Sequence, residues 1–297
     1  MANILIVGCG DLGTAIANNL KHEHQVTGLR RTINKNSSHA ATSGMKIIIA
    51  DVTQPNTLSA LTNLNPNIVI YCISADAQTD ESYQAQYVTG LKNVLATQAS
   101  NQALQHVFFV SSTRLYGQKT QDLLDEITPA VPNDFGGERL LEAENALKDF
   151  CHNKHLNKQV PCKRTSMRLS GIYGNGRLYL VNMAKDISKW PTENNWSNRI
   201  HRDDAAGFIA FLVNKTLQNP PIADCYIVTD DMPTQQYEVL KWLANQQNVD
   251  VTHIQTPLVS GGKRLSNKRL RETGFQLQYP NYQVGYSKIL DKMLDKI

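Results

Sequence analysis

Six residues near the amino terminus, Gly8-Cys9-Gly10-Asp11-Leu12-Gly13, have the types and spacing to hold a phosphate. They follow an apolar run, Ile4-Leu5-Ile6-Val7, and lead into a helical pattern at 14–21, the context in which Gly-x-Gly-x-x-Gly denotes an anion site. Gly8 permits a tight turn, Gly10 lets the backbone approach a pyrophosphate, and Gly13 lets helix and strand pack closely. The backbone N–H groups of a helix start then face the anion, so Asp11 and Leu12 belong to the same candidate site. The competing reading is a plain glycine turn between strand and helix. The second strand ends on Leu29-Arg30-Arg31, where a site for NAD would carry an acid on the ribose hydroxyl. A guanidinium grips phosphate bidentately and stacks on adenine, so Arg30 and Arg31 point to NADP(H), with NAD(H) as the alternative. Two solvated arginines at a strand end are the bland counterpart. Asp51, just past the third strand, is expected at the adenine edge, and 72–75, Ser74 among them, beneath the nicotinamide ribose.

Two further groupings carry chemical potential. Arg199-x-His201-x-Asp203-Asp204 could bind an anionic group through Arg199 and a neighbouring hydroxyl or phosphate through His201. The two aspartates could equally cap a helix beginning near 203. Cys151, His152 and His155 have the chemistry of metal ligands, but no fourth ligand lies near them in sequence and a structural zinc needs four, so no metal is expected. The basic stretch Gly261-Gly262-Lys263-Arg264 reads either as a loop near a substrate or as a solvated loop.

The elements that must position these residues are legible as alternation. Short β-branched or aromatic runs at 3–7, 25–29, 46–50, 68–73, 107–111 and 165–169 are separated by helical patterns, notably 83–102 and 138–150. That order predicts βαβ units, hence a doubly wound parallel Rossmann sheet of the α/β class. Residues 32–44 are polar and read as a loop. Beyond 173 the pattern turns irregular, then yields a strand at 225–229 and a helix at 235–247. The expected organisation is a dinucleotide domain at 1–173 with a returning segment near 205–230, and a smaller substrate-binding part over the rest of 174–297.

Composition fits this picture. Hydrophobic residues make up 41% and charged residues 19% of the 297, excluding a disordered or fibrous chain. A net charge of +4 with scattered Lys and Arg gives nucleic-acid binding little electrostatic support. Five dispersed cysteines without a Cys-x-x-Cys pair argue for reduced thiols in a cytosol. No leader pattern precedes the first strand, and no run approaches the roughly 20 apolar residues of a membrane span, so a cytoplasmic location is expected.

Together with the glycine motif, three segments carry a resemblance: Phe109-Val110-Ser111-Ser112-Thr113-Arg114-Leu115-Tyr116-Gly117, Arg168-Leu169-Ser170-Gly171-Ile172-Tyr173-Gly174 and Ile200-His201-Arg202-Asp203-Asp204-Ala205-Ala206. On these the chain resembles, over nearly its whole length, the extended short-chain dehydrogenase/reductase superfamily, and in particular its atypical NAD-dependent epimerase/dehydratase and nucleoside-diphosphate-sugar epimerase-like members. The resemblance implies that Ser112 polarises a substrate oxygen. It also implies a Tyr-x-x-x-Lys pair about two dozen residues later, yet the corresponding stretch here is Phe135-Gly136-Gly137-Glu138-Arg139. Phenylalanine has no proton to give, and arginine stays charged. Losing a positioned proton donor typically costs about 10²–10⁴-fold in rate. Arg139 is expected to bond the nicotinamide ribose as the family lysine does. Ser112, Tyr116 and Tyr173 are the candidate replacement donors, with packing as the competing role for both tyrosines. The resemblance further implies a homodimer, formed through the helices at 83–102 and 138–150, and a small-molecule substrate. Three activities remain in view: an NAD(P)-dependent epimerase/dehydratase-like oxidoreductase acting on a small polar or nucleotide-sugar substrate, a non-catalytic NADP(H)-binding sensor or scaffold, and a redox-neutral isomerase or lyase.

Overall fold

A strand with apolar side chains on both faces has to be covered on both, and Ile4, Leu5, Ile6 and Val7 of β1 (Asn3–Val7) are each no more than 1% exposed. In the computed structural model, which describes residues 1–32, 45–118, 120, 122–156, 161–218 and 220–294, β1 belongs to a seven-stranded parallel sheet. Its other strands are β2 (Gln25–Arg30), β3 (Lys46–Ile49), β4 (Ile68–Tyr71), β5 (His106–Ser112), β7 (Lys163–Leu169) and β11 (Cys225–Val228), in the order β11-β7-β5-β4-β1-β2-β3. The strand succession runs outward from β1 through β2 to β3, then restarts on the other side with β4. That reversal between β1 and β4 is the switch point at which open parallel sheets hold ligands, outside the carboxyl ends of the strands.

The chain divides into two units. Unit 1 comprises Met1–Gly117, Ala130–Arg168 and Ala206–Tyr226. On one face of its sheet, Leu5, Val7, Val69, Tyr71, Val107 and Phe109 form a core with Tyr83, Val88, Leu91, Val94 and Leu95 and with Leu140, Ala143 and Leu147 of the helix Phe135–Leu156. Period-2 alternation turns Ile4 and Ile6 the other way. The helix Asp11–Leu20 begins at the glycine motif and buries Leu12, Ile16, Ala17 and Leu20. The pattern expected as one helix at 83–102 is a composite: Asp80–Tyr83, a π-helical turn over Gln84–Thr89, and Gly90–Thr97. The loop expected at 32–44 lies, from 33 on, outside the described residues.

Unit 2 comprises Gln118–Pro129, Leu169–Ala205 and Ile227–Ile297. It holds three small sheets: β8 (Gly171–Tyr173) with β10 (Arg199–His201), β9 (Asn194–Ser197) between β12 (Thr234–Gln235) and β13 (Val259–Gly262), and β6 (Leu123–Leu124) with β14 (Arg264–Leu265). Their core gathers Trp190, Tyr237, Leu240 and Leu243 with Tyr173, Tyr282 and Tyr286. The division between units falls at Arg168, ahead of the expected 173, and Gln118–Pro129 joins unit 2 although it lies inside the span expected to be the dinucleotide domain. The pairing of Leu123 and Leu124 with Arg264 and Leu265 explains this, because a contact of that sequence separation leaves no local pattern.

Candidate functional site

Within unit 1 the glycine turn is specified position by position. Gly8 has φ +100°, and a Cβ there would lie 2.5 Å from Cys72 O; a Cβ at Gly13 would lie 2.3 Å from Gly8 O. Both glycines are therefore required by the protein's own backbone. Gly10 is different. Its φ is −81°, and a Cβ built there meets nothing within 4 Å. The fold does not need a glycine at this point, and the space beside it is open to whatever approaches from outside. Gly10 is also the N-cap of Asp11–Leu20 and provides no side-chain cap, which leaves first-turn N–H groups for an anion. A pyrophosphate fits this cradle.

The two arginines that follow β2 part company. The Arg30 guanidinium makes no hydrogen bond or ion pair with the described residues. Arg31 is gripped bidentately by Asp76, with Nη1 donating to Oδ2 at 2.6 Å and Nη2 to Oδ1 at 2.5 Å. The hydrogen bond from Arg31 holds the Asp76 carboxyl below the ordinary range, and the same bond raises the arginine. Asp76 Oδ2 also accepts from Gln86 Nε2 at 3.0 Å. Asp51 engages Oδ1 with the N–H and hydroxyl of Thr53 at 2.9 and 2.8 Å, while Ser74 is exposed.

At the end of β5, Ser112 Oγ accepts the Arg114 N–H at 3.2 Å, so its own proton is available for donation. The Arg114 guanidinium is clamped: Nε donates to both Asp134 oxygens at 3.0 Å, and Nη1 to Tyr83 Oη at 2.8 Å and Gln78 Oε1 at 2.9 Å. Its Cζ lies 5.0 Å from the ring centres of both Tyr83 and Phe135. Gly136 and Gly137, poor helix formers, open the helix Phe135–Leu156 for a steric reason: a Cβ at Gly136 would lie 2.4 Å from Arg114 Cζ, and one at Gly137 2.9 Å from Arg114 O. Asp134 caps that helix by accepting the Gly137 N–H at 2.8 Å. Arg139 makes a pair of bonds to Asp80, 2.7 and 2.9 Å, and one to Glu142 at 2.9 Å. These bonds use one N–H each of Nε, Nη1 and Nη2, so Arg139 is already engaged by carboxylates at the position from which it is expected to meet a nicotinamide ribose.

Tyr116, suggested as a proton donor, is 1% exposed; its hydroxyl accepts from Arg168 Nη1 at 2.6 Å, and Arg168 is paired with Glu144 at 2.7 and 3.1 Å. The side chain points into the interior, where it packs and takes the Arg168 bond, the arrangement of the competing packing role.

In unit 2, Tyr173 is likewise enclosed, its ring 4.5 Å from that of Tyr286 and 5.2 Å from that of His201, and burial pushes its hydroxyl upward in pKa. A Cβ at Gly285 would collide with Tyr173 Oη, so that glycine makes room for the phenol. His201 is buried; its Nδ1 accepts the Asp203 N–H at 3.2 Å, its ring lies 3.8 Å from Tyr279, and burial lowers its pKa to about 4, so the ring is neutral at pH 7. Asp204, for which a helix cap is one of two readings, accepts the N–H groups of Gln278 and Tyr279 at 2.8 and 2.9 Å. Arg199 is buried with its Nη2 bonded to Ser197 Oγ and its Cζ 5.5 Å from the Tyr282 ring centre. Arg199 Nη1 and Asp230 Oδ2 have no hydrogen-bond partner among the described residues. Burial raises Asp230 to about 7 against the lowering effect of Arg199. The basic loop packs on β9, with Arg264 Cζ 5.2 Å from the Trp196 ring centre.

Cys151 turns toward Cys162, Sγ to Sγ 3.5 Å. Among the described residues no group of three His, Cys, Asp or Glu side chains is placed to hold a metal, and no helix is long and apolar enough to cross a membrane. Sequence reading missed Asp76, Gln86, Tyr83, Asp134 and the clamped Arg114. Each acts through a partner 10 to 45 residues away, a separation that leaves no local signal.

The sequence profile of the NAD dependent epimerase/dehydratase family matches residues 4–222. Among solved structures, an NAD-dependent epimerase/dehydratase from Methylobacillus flagellatus shares 43% identity over 98% of this chain and 98% of that one, with a TM-score of 0.84. The UDP-glucose 4-epimerase of Thermus thermophilus, in complex with NAD, is 17% identical over 95% of this chain and 96% of its own, with a TM-score of 0.73. The dTDP-glucose 4,6-dehydratase of Bacillus anthracis, also with NAD, is 14% identical over 96% and 94%, with a TM-score of 0.76. The last two show the shared fold. No curated protein matches the chain.

Proposed function

The chain belongs to the NAD dependent epimerase/dehydratase family, and from that premise we propose that it is a nicotinamide-dinucleotide-dependent epimerase/dehydratase-like oxidoreductase acting on a small polar substrate of the nucleotide-sugar kind. The observation that carries the proposal is Gly10, a glycine that the fold leaves open on its outer side at the start of a helix. Gly8, Gly10, Asp11, Leu12 and Gly13 would hold the pyrophosphate, and Asp51 and Ser74 would lie along the adenosine and ribose. Arg30 and Arg31 are the cations within reach of a 2′-phosphate, Arg31 being paired with Asp76, so either NAD(H) or NADP(H) can be the cofactor. The bound nicotinamide supplies a hydride acceptor or donor at the substrate carbon.

The chain's own contribution is at the end of β5. Ser112 donates a hydrogen bond to a substrate oxygen, and the fixed charge of Arg114, anchored by Asp134 and packed beside the rings of Tyr83 and Phe135, favours negative charge developing on that oxygen. In unit 2, the unpartnered Arg199 Nη1 and Asp230 Oδ2 are the groups that a polar ligand atom would satisfy.

The test is a panel of sugar nucleotides, ketones and alcohols, followed by nicotinamide absorbance and by product analysis. A substrate turned over by the wild type and slowed about 10²-fold or more in Ser112→Ala, with little change in KM, supports the assignment. No turnover with any member of the panel opposes it. The burial of Tyr116 and Tyr173 favours a second reading, a dinucleotide-binding sensor without catalysis. That reading predicts cofactor-dependent partner binding and no turnover.

A further inference from the structure

An ion pair spans the glycine turn. Arg31 follows β2 and Asp76 follows β4, while the sheet order is β4-β1-β2. Neighbouring parallel strands lie roughly 4.8 Å apart, so the bonds joining Arg31 to Asp76 bridge a gap of about 10 Å, and β1 ends between them at Gly8. The bidentate pair, 2.5 and 2.6 Å, therefore flanks the turn of Gly8, Gly10 and Gly13, within reach of a chain-like ligand seated there.

Asp76 is held for this contact. Gln86, itself buried, donates from Nε2 to its carboxylate at 3.0 Å, and the N–H groups of Asp76 and Ala77 donate to Ser82 Oγ at 3.1 Å. Gln86 is set by the π-helical turn Gln84–Thr89, whose Gln86 carbonyl takes the hydroxyl of Tyr71. Single π turns recur where a helix has been bent to function. The carboxylate is thus a positioned group on a fixed loop.

Resting on the dinucleotide reading above, we infer that Asp76 is the residue that sets the choice between NAD(H) and NADP(H). The end of β2 carries no acid for an adenosine 2′-hydroxyl, and Asp76 brings one in from the neighbouring loop. A 2′-hydroxyl donates to that carboxylate with the Arg31 bond intact. A 2′-phosphate is repelled by it and must take Arg31 away from it, with Arg30 as the second cation. Both partners are about half exposed, 49% and 47%, so water can compensate the parting and the pair opens at small cost. One ion pair consequently holds an acceptor for NAD(H) and a donor for NADP(H), and the carboxylate weights the balance toward the unphosphorylated form.

The experiment is calorimetric titration of the full chain with NADPH, NADP⁺, NADH and NAD⁺, for the wild type, Asp76→Asn, Arg31→Ala and Gln86→Met. In Asp76→Asn the ratio of NADPH to NADH affinity should rise about tenfold, the size of one charge-assisted hydrogen bond formed where another is broken. Gln86→Met should shift the ratio in the same direction by less, since it loosens Asp76 without removing it. Arg31→Ala should lower the ratio. Dinucleotide binding with the same ratio in wild type and Asp76→Asn overturns the inference and leaves the dinucleotide reading standing. Absence of binding by every form overturns both. Thermal melts of each variant separate a changed ratio from a damaged fold.

Discussion

At the residue scale, three glycines of one motif have different reasons for being glycine. Gly13→Ala would force Cβ against Gly8 O, and Gly8→Ala would add a left-handed φ to a collision with Cys72, so both should lower the melting temperature, by about 1–3 kcal/mol equivalent. Gly10→Ala should melt within about 0.5 kcal/mol of the wild type, because nothing within 4 Å resists the methyl group. Differential scanning calorimetry of the three variants checks this order. Asp230 offers a second residue-scale test. Burial lifts its folded pKa to about 7, while Arg199 pulls it down and Asp204 and Asp231 push it up, with Tyr173 and Tyr286 in the same cluster. An unfolded aspartate ionises near pH 4, so between about 4 and 7 the folded chain keeps a proton that the unfolded chain has lost. The contribution of Asp230 to stability is therefore full below about pH 4 and is lost as pH rises through about 7. The wild type should lose stability relative to Asp230→Asn across that interval, as read by melts at successive pH values; parallel curves would contradict the assignment. The motif glycines were legible because their spacing is local. Asp76, Tyr83 and Asp134 were not, and neither was the inward turn of Tyr116 and Tyr173, since a sequence shows that a phenol lies near a strand end but not which way it points.

At the element scale, the strands of the parallel sheet were readable to within a few residues because strands buried on both faces need unbroken apolar runs. Two features escaped. The helix Phe135–Leu156 starts before its expected 138, because Gly136 and Gly137 resemble breakers until Arg114 is seen filling the space that their missing side chains leave. The π turn at Gln84–Thr89 interrupts a stripe that a 3.6-residue period reads as continuous. The same helix supplies a structural lysine near its far end: Lys154 is buried and donates to the carbonyls of Gln98, Ala99 and Asn101 at 3.3, 3.0 and 3.0 Å, beyond the end of Gly90–Thr97. Helix ends leave carbonyls without intrahelical partners, and Lys154 satisfies this group. Lys154→Met should cost about 1–2 kcal/mol in urea unfolding, because the buried Asn101 carbonyl loses its partner while Gln98 O keeps the Asn101 N–H and Ala99 is exposed to water.

At the scale of the whole molecule, the sequence announced two units through the loss of βαβ alternation past 173, while the capture of Gln118–Pro129 by unit 2 depends on the pairing of Leu123 and Leu124 with Arg264 and Leu265. Family membership brings the fold, and the start of the helix Phe135–Leu156 places Phe135 beside a clamped Arg114 and commits Arg139 to Asp80 and Glu142. All of this depends on a dinucleotide lying across the turn that follows β1. The most direct check is calorimetric titration of the full chain and of Gly10→Ala with NADPH and NADH. Saturable binding to the wild type, weakened at least about tenfold in a Gly10→Ala protein that melts normally, is the expected result. Equal binding by the two proteins, or none by the wild type, would contradict it and leave the glycine motif as a turn that serves the fold alone.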